Sequence, residues 1–205
     1  MFKHVVAVAV ILALAGCMDQ QLPTENDIIV PLFAKGGGGT GGGNAEMNFG
    51  THLTGAEEVL NNDPHPRESK AQGQAIFRVS RDGSSVDFRL IAANIENVNQ
   101  AHIHCGRPGE NGPVRMWLYP VIGPTGAAAP NGAGRFSGVL ASGTFSPAGV
   151  VCPAANVGEN MPLLDAIRAG LTYVNVHTND GIDPTNTGPG DFPGGEVRGQ
   201  IDRGF

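Results

Sequence analysis

From Met47 onward the chain alternates at a period of two, which commits most of its length to β-strands. Ala71, Gly73, Ala75, Phe77 and Val79 alternate with Gln72, Gln74 and Arg78. After Asp82-Gly83 the pattern resumes, with Val86, Phe88, Leu90 and Ala92 set against Asp87 and Arg89. Successive side chains of a strand point to opposite faces, so each run reads as a half-buried antiparallel strand. Asp-Gly supplies the positive φ angles that a tight hairpin turn demands. Val114, Met116 and Leu118 oppose Arg115, Trp117 and Tyr119 in the same way, and residues 136–145, 171–178 and 196–201 are further strand candidates. Residues 163–169 alone read as helix, with Pro162 at the start and Gly170 just past the end. The 31 glycines and 15 prolines mark loops between short elements. The expectation is an all-β sandwich or barrel of about eight strands with one short helix.

The N-terminus decides the compartment. Lys3 and His4 precede an unbroken apolar run, Val5 to Ala15, and Leu14-Ala15-Gly16-Cys17 closes it. That layout is an export signal and resembles a bacterial lipobox, with Cys17 becoming the lipidated N-terminus. The run is too short for a bilayer core of about 30 Å at 1.5 Å per residue, which disfavours a spanning helix. Met18 follows the cysteine and Asp19 comes only after it, so by the resemblance the protein goes to the outer membrane rather than being retained at the inner one. Residues 17–45 are mostly polar or glycine-rich, including Gly36 to Gly39 and Gly41 to Gly43 with Ile28 to Phe33 as a short apolar interruption, and cannot bury enough apolar surface to fold alone. They read as a tether with an r.m.s. span of roughly 30 Å. The organisation is therefore signal 1–16, tether 17–45 and one domain at 46–205.

Charge narrows the partners. Of 13 basic residues, only Lys3 leaves with the signal, so 12 face 19 acidic ones, a net of −7. The arginines are scattered singly, and phosphate binding needs positive charge concentrated on one face, so nucleic acid is excluded as a partner. There is no Gly-x-Ser-x-Gly elbow and no phosphate loop, since Gly36 to Gly43 lacks the Lys-Ser/Thr that gives such a loop its function. Glu57 and Glu58 are adjacent and point apart in a strand, which is poor geometry for shared acid–base work. Glu196 and Arg198 share a face and read as a surface ion pair of small value. Arg115, Trp117 and Tyr119 form a stripe fit to stack on a sugar or a partner protein, or to pack against a second sheet.

Chemistry gathers at Ala101-His102-Ile103-His104-Cys105-Gly106. On a strand His102 and His104 share one face, a pair that suits a metal, whereas Cys105 points to the other. Once Cys17 is acylated, two cysteines remain in an exported domain, and Cys105 and Cys152 are expected to pair. The closed loop is worth on the order of 4 kcal/mol in chain entropy. The rival reading makes Cys105 a thiolate ligand beside the histidines, and it needs a kink at Gly106.

Phe49-x-Thr51-x-Leu53-Thr54-Gly55-Ala56-Glu57-Glu58-Val59, Asn94-Ile95-Glu96-Asn97-Val98 and Ala101-His102-Ile103-His104 with Asn111-Gly112-Pro113-Val114 resemble the CHRD domain first named from chordin. Residues 166–170 leading into Tyr173-Val174-Asn175-Val176-His177-Thr178, then Gly194-Gly195-Glu196-Val197-Arg198-Gly199-Gln200-Ile201, complete the pattern in order over about residues 47 to 201. The resemblance implies an antiparallel β-sandwich at the cell surface, with an immunoglobulin-like or superoxide-dismutase-like Greek key as the expected topology. It carries over no catalytic residue.

His177 shares a strand face with Tyr173 and Asn175 and is the third ligand candidate, provided its strand lies beside the His102–His104 segment. Three imidazoles suit copper or zinc with a fourth position open. The arrangement is similar to the His-x-His plus distant histidine of copper–zinc superoxide dismutases. Those enzymes also need a bridging histidine and a separate zinc set, which His52 and His65 do not supply, so dismutase activity is only a third reading. Residues 179–193 lengthen the last hairpin, and Asp180, Asp183 and Asp191 offer oxygen ligands to calcium, without EF-hand spacing; a solvated acidic loop is the alternative. The first reading is a lipid-anchored module that binds a protein or glycan ligand or serves structurally, and is not an enzyme. The second is a copper or zinc protein using His102, His104 and His177.

Overall fold

A computed structural model describes residues 48–60, 67–120, 134–182, 184 and 187–203. The signal, Cys17, the tether, His65 and Asp183 lie outside the described residues. Among the described residues there are eleven strands: β1 (Asn48–Thr54), β2 (Gln72–Val79), β3 (Val86–Glu96), β4 (Val98–Cys105), β5 (Val114–Tyr119), β6 (Arg135–Phe145), β7 (Val151–Cys152), β8 (Met161–Pro162), β9 (Thr172–Thr178), β10 (Val197–Gln200) and β11 (Asp202–Arg203). A 3-10 turn, Gly55–Glu57, follows β1, and the helices are α1 (Ala154–Val157) and α2 (Leu163–Arg168). The helix expected at 163–169 is there, and α1 is an additional single turn held by Pro153 carbonyl contacts to Asn156 and Val157.

All pairings are antiparallel, and the strand order is β5-β4-β9-β10-β1-β2-β3-β6, with β11 against β1 and a separate β7–β8 pair. β3 belongs to one half of this path and β4 to the other, yet only Asn97 separates them in sequence. Asn97 takes a left-handed conformation, φ 52°, which turns the chain from one half to the other. β1 and β10 join through the pair Thr54 and Arg198, and the end strands β5 and β6 approach each other, so the sandwich is nearly a closed barrel.

Phe49, Leu53, Phe77, Leu90 and Ile95 from one half meet Ile103, Leu118, Val174, Val176 and Val197 from the other, all within 1 % of complete burial. Each such side chain contributes roughly 1.5–3 kcal/mol by leaving water. Leu163, Ala166 and Ile167 of α2 join this core.

Two local expectations change. The strands flanking Asp82-Gly83 stop at Val79 and Val86, so the turn is a wider loop closed by Ser80 N–H donating to Ser85 O at 2.9 Å. Gly83 alone takes a positive φ, 73°, while the Asp82 carboxylate accepts hydrogen bonds from Ser80 Oγ, Ser84 N–H and Ser84 Oγ. In β3 the alternation slips after Ala92, because Asn94 at φ 53° forms a bulge and Ile95 becomes the next core residue.

Candidate metal centre

β4 and β9 lie side by side, with His102 opposite Asn175, His104 opposite Tyr173 and Gln100 opposite His177. Alternate residues share a face, so His102 and His104 project from the same side of the sheet as Tyr173, Asn175 and His177. Ile103, Val174 and Val176 take the opposite side and enter the core. The ligand-capable nitrogens of the three histidines all lie within 4.8 Å of one another. Among the described residues this is the one group of three or more His, Cys, Asp or Glu side chains gathered so closely.

On an open sandwich this outer face would be wet, yet His102, His104 and His177 are 2 %, 8 % and 7 % exposed. Three pieces of chain cover it. From the 106–113 loop, Gly112 O accepts from His104 Nδ1 at 2.8 Å. From the 187–196 loop, Pro193 O accepts from His177 Nδ1 at 2.8 Å. From the segment after the 3-10 turn, Glu58 reaches Asn175.

The two carbonyls settle the tautomers. A carbonyl oxygen only accepts, so the Nδ1 atoms of His104 and His177 carry the protons and both Nε2 atoms present lone pairs. His102 Nδ1 lies 3.3 Å from His177 Nε2 and donates to it as arranged. Moving that proton to His102 Nε2 would make Nδ1 the third lone pair. The Nε2 atoms of His102 and His104 are buried without a partner, a condition that costs about 1–3 kcal/mol per atom. Burial also lowers the imidazole pKa values, to about 3 for His102, where His177 and His104 add to the effect, and to about 4 for His104 and His177. All three rings are therefore neutral at ordinary pH, the state a metal needs. The donor set, three neutral imidazoles with two Nδ1–H groups anchored to backbone oxygen, fits copper or zinc.

Aromatic and charged side chains surround the rings. Tyr173 stacks on His104 with centroids 4.7 Å apart and planes 10° apart, and Trp117 meets His102 edge-on at 4.2 Å. Half-buried Trp117 thus packs on a histidine of the site. Arg198 lies 3.5 Å over the Tyr173 ring and donates to Asn111 Oδ1 and Glu110 O. Asn175 Nδ2 donates to both Glu58 carboxyl oxygens. Burial pushes the Glu58 carboxyl up to about 8, against the opposing pull of Arg198, Arg67 and Asn175. Glu58 also lines a cavity of about 340 Å³ with Thr54, Arg67, Ser69 and Gln72.

A family model for the CHRD domain matches residues 49–201, which include both strands of the site and all three covering segments. The chain belongs to the CHRD domain family. No curated protein and no solved structure matches it.

The remaining site expectations find their places within this CHRD domain. Cys105 and Cys152 form the disulfide, with Cα atoms 5.5 Å apart, and Cys105 faces away from the histidines, so it is not a thiolate ligand. Glu196 and Arg198 are not a surface pair. They are 0 % and 2 % exposed and have separate partners: Glu196 accepts from Ser69 Oγ, Thr178 Oγ1 and Gly190 N–H. That carboxylate pins the 187–196 loop over His177, which no strand pattern reveals. Of the calcium candidates, exposed Asp180 accepts from Ile182 N–H, buried Asp191 accepts from Thr187 N–H and Oγ1, and Asp183 is outside the described residues. Tyr173 and Asn175 share His177's face by period alone. Glu58 joins across 117 positions and Gly112 through its backbone, neither of which leaves a periodic signal.

Proposed function

We propose that this chain is an exported, lipid-anchored CHRD module that holds one copper or zinc ion at His102, His104 and His177. One observation carries the reading: two backbone carbonyls orient two imidazoles so that their unprotonated Nε2 atoms face a third, inside a buried chamber. Export and lipidation rest on the signal and on Cys17, and a surface location facing a protein or glycan partner accords with the net negative charge and the glycine-rich tether. The protein is read as a binding module with no reaction assigned to it. Dismutase chemistry finds no support in a bridging histidine or a second ligand set among the described residues.

Metal analysis of protein purified from the periplasmic or membrane fraction tests this. About one equivalent of copper or zinc is expected in the wild type and almost none in a His102→Ala/His104→Ala/His177→Ala variant. Equal metal in both would sink the reading. The competing reading is a module whose histidines serve only structure, and the His102–His177 contact at 3.3 Å favours it, because the rings already hydrogen-bond to each other. Under that reading, the triple variant loses stability and no metal is retained by either protein.

A further inference from the structure

The three histidines bring no negative charge to an ion. Imidazole ligates as a neutral ring, and among the described residues no Asp, Glu or Cys completes the group. Gly112 O and Pro193 O already accept from the Nδ1 atoms. Glu58 meets this face through Asn175, and burial raises its carboxyl to about 8, so it is mostly uncharged at neutral pH. The fixed charge beside the site has the opposite sign. Arg198 stands on β10, and β9 lies between it and the β4 histidines. Its guanidinium, which stays protonated, is buried and lies 3.5 Å over the Tyr173 ring, and Tyr173 in turn stacks on His104 at 4.7 Å. Asn111 Oδ1 and Glu110 O hold the guanidinium there, each at 2.8 Å. Glu57, which also attracts Arg198, is exposed and screened by water.

We propose that this site selects a singly charged ion and holds copper as Cu(I), with Arg198 strengthening the preference by its charge beside His104. The cost of burying an ion grows with the square of its charge, so a single charge costs about a quarter of a double one of equal size. Repulsion from Arg198 is likewise halved. Coordination agrees, because Zn(II) takes four ligands, whereas three imidazole nitrogens complete a trigonal Cu(I) site. Tyr173 carries the contact between the guanidinium and the ligand ring. The inference rests on the metal reading above and names its ion.

The test uses the full processed protein. Affinities for Cu(I), supplied without oxygen, and for Cu(II) and Zn(II) are measured by competition with chelators of known affinity, beside the triple-alanine variant. Cu(I) should be held at least about tenfold more tightly than either divalent ion. If wild type binds none of the three better than the triple variant, the metal reading falls and this inference with it. If metal is bound but Cu(II) or Zn(II) comes within tenfold of Cu(I), the inference fails while the metal site stands. Arg198→Gln should narrow the preference for Cu(I) over Cu(II) about tenfold, lowering the potential of the bound couple by about 59 mV. Arg198→Lys, which keeps the charge, should restore most of that shift. Equal potentials in wild type and Arg198→Gln, or equal shifts in both variants, would overturn the role of Arg198. Should neither variant fold, the wild-type affinities decide whether Cu(I) is the ion.

Discussion

Gly112 holds the site together through its backbone. Its carbonyl accepts hydrogen bonds from His104 Nδ1–H and Tyr173 Oη, and its N–H donates to the same hydroxyl. A Cβ on Gly112 would sit 1.6 Å from the Cys105 carbonyl oxygen, so Gly112→Ala must displace the loop. Losing the carbonyl that orients His104 should weaken copper or zinc binding by about 10–100-fold, read by competition with a chromogenic chelator. Titration gives a second residue-scale prediction. The folded-state pKa of each site histidine is lowered from 6.5 to about 3 or 4, so the unfolded chain binds more protons in that window and stability rises with pH until about 6.5. Glu58 has the opposite sign. Its carboxyl is raised from 4.5 to about 8, so its contribution is complete below 4.5 and is lost as pH climbs towards 8. Three histidines outweigh one carboxyl on the acid side. The metal-free domain should therefore be most stable near pH 6.5, with urea midpoints falling on both sides. Glu58→Gln should abolish the alkaline decline and leave the acid one; a wild-type midpoint still rising at pH 8 would refute the assignment. Period two placed His102, His104 and His177 on shared faces, but the Glu58–Asn175 pair spans 117 positions and had no local sign.

At the scale of elements, the disulfide ties the end of β4, one residue beyond His104, to β7. It closes a loop with a sequence separation of 47, worth about 4 kcal/mol in chain entropy. Cys152→Ser, or reductant on the wild type, should lower the denaturant midpoint accordingly, whereas reductant should leave the midpoint of Cys152→Ser unchanged. Strand identities were legible where a run keeps one phase of alternation, as β2 does from Ala75 to Val79. Boundaries and phase slips were not. Asn94 looks like any polar residue of a strand, and only its pairing against β6 shows the bulge that returns Ile95 to the core. The burial of Glu196 was equally hidden, since its donors Ser69, Thr178 and Gly190 come from three separate segments.

For the molecule as a whole, the proposed anchor makes a direct prediction. Cys17→Ser should move the protein from the membrane pellet to the soluble fraction of fractionated cells, since the lipid supplies the attachment. The sequence by itself determined an antiparallel all-β domain, the faces on which its side chains stand, the Cys105–Cys152 pairing and the three histidines to watch. These follow from strand periodicity, from chain composition and from local turn chemistry, which need no knowledge of neighbours. Only the tertiary structure decided that β9 pairs with β4, because strand order depends on how Asn97 turns the chain between the two halves. It alone showed that three loops roof the polar face of that pair. Burial under those loops, a property of segments far apart in the chain, is what turns two strand faces with histidines into one buried, neutral, oriented set of nitrogens.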